Sequence, residues 1–137
     1  MTSPVTPPLF ETLGQATSGL LFPSESDAPL TPYRFPGPKG AEPTPEALLL
    51  AEHLPSDTPV ETTTVADLFD PFQHADKGAS KEDQAEAERY RALVELLTRE
   101  LKALRVYRVG KIDIDVYVLG QDASGDWLGL KTHVVET

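Results

Sequence analysis

No cysteine occurs among the 137 residues, so neither a disulfide framework nor a thiolate-held metal is open to this chain. The absence fits a reducing compartment. Basic residues are scarce: 12 Lys and Arg stand against 22 Asp and Glu, for a net charge of −10. That balance disfavours direct nucleic-acid binding, because neutralising phosphates takes Lys and Arg. It favours a basic partner, through steering of the encounter rather than through the fold. The charge is also evenly spread, since residues 1–60 hold 2 basic and 7 acidic side chains, a net of −5, leaving −5 for the remainder. No apolar run approaches the ~18 residues needed to span a bilayer. "MTSPVTPPLF" has neither the basic nor the long apolar region of a signal peptide. The expectation is a soluble, cytoplasmic protein with no membrane attachment, folded as a single domain over residues 1–137.

Catalytic signatures are missing as well. His53, His74 and His133 fall in separate contexts without metal-ligand spacing. There is no nucleophile elbow, P-loop or dinucleotide fingerprint, and the glycines of "ASGDWLGL" join strands rather than open a helix. Asp113 and Asp115 stand at strand spacing and share a face, yet a working dyad needs a pocket and polar company. They read as a solvated pair, and a hydrolase built on them is the least favoured function. The chain reads as no enzyme, with no cofactor.

What is present is a helix-then-sheet pattern. Thr6 and Pro7 form a cap-plus-proline start for a helix carrying Leu9, Phe10, Leu13, Ala16 and Leu20, with Gly19 as its stop. Pro32 limits "LTPYRF" at 30–35 to an edge strand. Thr44 and Pro45 open a second helix through "EALLLAEHL", ended by Pro55. Residues 60–65 read as extended, and "ADLFDPF" as a helical turn packing Leu68, Phe69 and Phe72. "QHADKGAS" reads as a mobile linker. The strongest helix spans 81–104, with Ser80 and Asp83 in a capping box and Glu95 and Arg99 as an i,i+4 pair. Its stripe is Tyr90, Leu93, Val94, Leu97, Leu101 and Leu104. Three alternating runs follow, at 106–110, 112–120 and 127–136, and predict an antiparallel meander. Ile112, Ile114, Val116 and Val118 fall on one face, Tyr117 and Leu119 on the other. Apolar residues on both faces predict an α+β fold with helices covering each side of the sheet.

Two places stand apart. "SES" at 24–26 sets Glu25 between two hydroxyls in a proline-bounded loop, where Ser24 suits a capping or turn role. "THVVET" ends the sequence on a strand whose tip gathers the Glu136 carboxylate, the Thr137 hydroxyl and the α-carboxylate.

Taken together, "SGLLFPSESD" and "VYRVGKIDIDVYVLGQDASGDWLGLKTHVVET" resemble the nuclease A inhibitor family of bacterial proteins, which inhibit sugar-nonspecific DNA/RNA endonucleases. The resemblance runs through the N-terminal helix, the acidic loop, the long helix, the meander and the terminal "VVET", and is weak across residues 36–80. It implies an α-β-α sandwich with a mostly antiparallel sheet, and a non-catalytic inhibitor covering the active site of one nuclease molecule. It implies that Thr137 reaches the catalytic metal of that nuclease, and that Glu25 pairs with a basic active-site residue. Ser24, Ser26 and Glu136 flank those positions and join them as candidate partner-binding residues. The alternative is a non-catalytic interaction domain of the same fold that binds a different basic partner.

Overall fold

The computed structural model describes residues 8–37 and 40–136. Helix α1 (Leu9–Thr17) leads into the short strands β1 (Leu21–Phe22) and β2 (Ala28–Pro29), then strand β3 (Thr31–Arg34). Helix α2 (Pro45–Ala51), strand β4 (Val60–Thr63) and helix α3 (Val65–Phe69) follow, and a 3-10 turn covers Asp70–Phe72. Helix α4 (Lys81–Glu100) precedes the strands β5 (Lys102–Val109), β6 (Asp113–Gln121) and β7 (Trp127–Val135). Thr6 and Pro7, expected to start α1, lie outside the described residues.

The expected meander is the centre of a five-stranded sheet ordered β3-β7-β6-β5-β4, with every neighbouring pair antiparallel. β3 occupies an edge, where the missing N–H of Pro32 breaks no central ladder. Both sheet faces are covered by helices, and the two cores follow from strand alternation. Ile114, Val116, Val118, Leu130 and Val134 pack under Leu13 of α1, Leu68 and Phe69 of α3, and Tyr90, Leu93 and Leu97 of α4. Tyr107, Tyr117, Leu119 and Trp127 pack on the opposite face against Leu48 and Leu49 of α2. Two of the expected side-chain caps form. The Ser80 hydroxyl accepts from the Asp83 amide at 3.1 Å, and Thr44 from that of Ala47 at 3.1 Å. Among the described residues no helix is long and apolar enough to cross a membrane.

Several expectations are corrected. α4 ends at Glu100, not 104: Leu101 is already extended, and Ala103 takes a left-handed φ of 55°. Leu101 is buried, so it continues the helical stripe by spacing while sitting on the sheet. β5 starts at Lys102, and its register with β6 shifts between Lys102 and Arg105. This bulge packs on Gly120, where a Cβ would come within 2.7 Å of the Leu101 Cβ. Ile112 does not join the sheet face; it lies in the β5–β6 turn, 57% exposed. α2 stops at Ala51, before Pro55, with His53 at a φ of 58°. Arg99 pairs with its neighbour Glu100 at 3.2 Å rather than with Glu95. Phe10 turns outward, with the Arg34 guanidinium 5.5 Å above its ring.

Candidate functional site

The "SES" segment is the tip of a miniature hairpin. β1 and β2 pair antiparallel, Leu21 opposite Pro29 and Phe22 opposite Ala28, which leaves Pro23–Asp27 as the connecting loop. Ser24 closes that loop. Its amide donates to Asp27 Oδ1 at 3.3 Å, and its hydroxyl donates to the Ser26 carbonyl at 2.9 Å. The same hydroxyl accepts from the Ser26 amide at 3.2 Å. Beneath the hairpin, the Phe22 ring meets Phe72 edge-on at 4.9 Å and Phe69 at 6.0 Å. The Tyr90 hydroxyl of α4 donates to the Leu21 carbonyl at 2.5 Å, holding β1 to the long helix. Burial, the largest influence on this phenol, pushes its pKa up, so it remains a donor at physiological pH. Glu25, exposed, sits on the outer turn of this anchored loop.

The hairpin tip and the end of β7 meet. The Val135 amide donates to Ser24 Oγ at 3.2 Å, a contact across 111 positions of sequence. With its donor used once and its oxygen accepting twice, the Ser24 hydroxyl is saturated inside the chain. Its turn role is therefore observed, with an inter-segment tie in addition. One residue beyond β7, the Glu136 amide donates to the Ile112 carbonyl at 2.9 Å. The Glu136 carboxylate accepts from Arg108 Nη2 of β5 at 2.5 Å. Thr137 lies outside the described residues.

A groove of about 1050 Å³ opens between the hairpin loop, β4, α3 and the end of β7. Its floor is apolar, from Phe22, Leu68, Phe72 and Val134, and its rim carries Glu25, Glu61, Asp67 and Glu136. Arg108 is the one basic side chain lining it among the described residues. Glu25, Ser24 and Glu136, drawn from opposite ends of the sequence, thus border a single concavity. Sequence reasoning missed Arg108. Its place beside Val106 in an alternating strand assigns its face, but only the strand order brings it near Glu136.

Residues 7–137 match the family of nuclease A inhibitor-like proteins. The chain belongs to that family. No curated protein matches it significantly. Nuclease inhibition is the role of the family, whose members act by binding a nuclease and not by catalysis. For a nuclease A inhibitor-like protein, an acidic groove edge beside the end of the closing strand is a surface suited to a basic partner. Among the described residues, no group of three or more His, Cys, Asp or Glu is placed to hold a metal ion.

The opposite sheet face of this inhibitor-like protein carries the carboxylates first considered for catalysis. Asp115 and His133 are directly paired across β6 and β7, with His133 Nδ1 2.9 Å from Asp115 Oδ1 and Nε2 3.4 Å from Asp113 Oδ1. The hydrogen bond to Asp115 raises the His133 pKa above the ordinary 6.5, burial partly opposes it, and Asp113 reinforces it. The folded value exceeds the unfolded one, so this stabilisation is fully present below about pH 6.5 and is lost as pH rises through the folded value. With His133 40% exposed, screening keeps the effect small. Thermal melts should show the midpoint falling by no more than about 3 °C across this window. His133→Gln should remove that slope, and an identical slope in the variant would assign it to other groups.

Proposed function

We propose that this protein inhibits a metal-dependent, sugar-nonspecific endonuclease by occupying its active site with the Glu25 loop and the Thr137 tip, as one inhibitor to one nuclease. The hydrogen bond from the Val135 amide to Ser24 Oγ carries this reading, because it fastens the two segments side by side before any partner arrives. A pre-formed epitope loses less conformational freedom on binding than two independent loops would. Glu25 supplies an anion where a nuclease holds a basic group for phosphate, and charge-assisted contacts of this kind are strong. The tip brings the Thr137 hydroxyl, a hard oxygen donor of the kind that Mg²⁺ accepts. The metal belongs to the nuclease, and the inhibitor needs none of its own. A carboxylate tip also offers no phosphodiester to cleave. Ser26 and the Glu136 carboxylate border the same contact, and nucleic acid is not itself a ligand.

Titrating the protein into a magnesium-dependent non-specific nuclease digesting plasmid DNA and RNA tests the reading. The expected result is loss of both activities at one inhibitor per nuclease. Undiminished digestion under excess protein would overturn it, and capture of a different basic protein would favour the interaction-domain alternative. Within the same assay, Glu25→Gln should weaken inhibition by ~1.5–3 kcal/mol, the worth of a hydrogen bond to a charged group. Its melting midpoint should stay near that of the parent, because Glu25 is exposed on the loop surface. A variant that melts far earlier would make Glu25 a support of its own loop.

A further inference from the structure

We infer that Arg108 is a positioning residue of the proposed inhibitory surface, clamping Glu136 beside the Glu25 loop. The inference rests on the reading above, in which Thr137 enters the nuclease. Arg108 stands on β5, opposite Val116 of β6, and Val116 in turn faces Thr132 of β7. β5 and β7 are therefore separated by a whole strand, and the Arg108 side chain crosses that gap to reach Glu136 at 2.5 Å. Glu136 lies beyond the last ladder pair, Asp113 with Val135. At this point, among the described residues, the backbone keeps one tie, the amide of Glu136 on the Ile112 carbonyl at 2.9 Å. A second tie through the side chain, from a different strand, restricts rotation about the first.

The dependence is mutual. Among the described residues Arg108 Nε is buried without a hydrogen-bond partner, and Glu61 Oε2 at 3.9 Å is at ion-pair rather than hydrogen-bond distance. A guanidinium with 23% of its side chain exposed has lost much of its water, so Glu136 is its main compensation. Arginine suits this task better than lysine, because its planar fork fixes direction as well as charge. The pair joins a half-buried cation to the last described residue of the chain, and a tip held in both backbone and side chain enters a partner with less ordering left to do.

Two measurements decide it. In the free protein, Arg108→Gln should speed amide hydrogen exchange at Glu136 several-fold, while amides in the middle of β6 keep their protection. Inhibition of a magnesium-dependent non-specific nuclease on plasmid DNA should weaken about tenfold for Arg108→Gln and for Glu136→Gln alone. The double variant should be no weaker than the poorer single one, because both substitutions break one clamp. Arg108→Lys should recover part of the loss. Additive losses would overturn the inference, since they would mean that Arg108 meets the nuclease directly. Unchanged exchange at Glu136 would overturn it too. A parent that inhibits alongside an Arg108→Gln variant that inhibits equally well sinks the inference alone. A parent that fails to inhibit sinks the functional reading, and this inference with it.

Discussion

Thr137→Val will weaken inhibition by tens-fold and leave the melting midpoint of the protein nearly unchanged. Valine keeps the branched shape and the strand preference, so the comparison isolates the hydroxyl. A hot-spot contact is worth ~2 kcal/mol or more, and roughly 1.4 kcal/mol corresponds to tenfold in affinity. The effect should exceed that of Lys131→Arg, because Lys131 projects over the Tyr117 ring at 5.2 Å, on the sheet face opposite the groove. A few residues added after Thr137 should weaken inhibition as well, since a tip seated in an active site leaves little room for further backbone. The deciding data are inhibition constants for the substituted and extended proteins, each verified as folded. If both match the parent, the end of the chain lies outside the contact and the metal-capping mechanism is wrong.

The second large effect concerns folding. Gly129→Ala should destabilise the protein by at least about 4 kcal/mol, in the range reserved for severe local clashes. A Cβ at Gly129 would lie 1.8 Å from the Val118 carbonyl oxygen and 2.8 Å from its carbon. Those atoms are backbone of β6, the strand bonded to both β5 and β7, and they cannot retreat without breaking a ladder. Gly19→Ala is the comparison. Its φ of 73° carries a strain of about 1–2 kcal/mol, but nothing lies within 4 Å of the added carbon. Denaturant melts of the two variants should therefore separate clearly. Comparable midpoints would show that β6 and β7 accommodate the methyl by a shift that the packing does not reveal.

Gly129 also illustrates where sequence reading stops. In "WLGLK" it looks like a mild weakness in an alternating run, and nothing nearby signals the approach of a backbone from nine positions upstream of Trp127. Ile112 departs for a related reason. It has the right spacing for the strand next to it, but the turn set by the pairing of β5 with β6 claims it instead. The candidate site divides in the same way. Resemblance in "SES" and "VVET" singled out Glu25 and Thr137, whereas Arg108 had no local mark at all.

The sequence alone was sufficient for the caps at Ser80 and Thr44, the edge placement of β3, the meander and the two-faced sheet. Each of these rests on interactions within a few residues or on a period of two along a strand, and both are written in neighbouring letters. Only the tertiary structure decided that Ser24 bonds Val135 across 111 positions, that Arg108 holds Glu136 across 28, and that His133 meets Asp115 across 18. Those contacts depend on strand order, on register, and on where the small hairpin lands over α3 and α4. The collective burial of both apolar sheet faces selects that arrangement, and no short stretch of the chain carries enough of the burial energy to encode it.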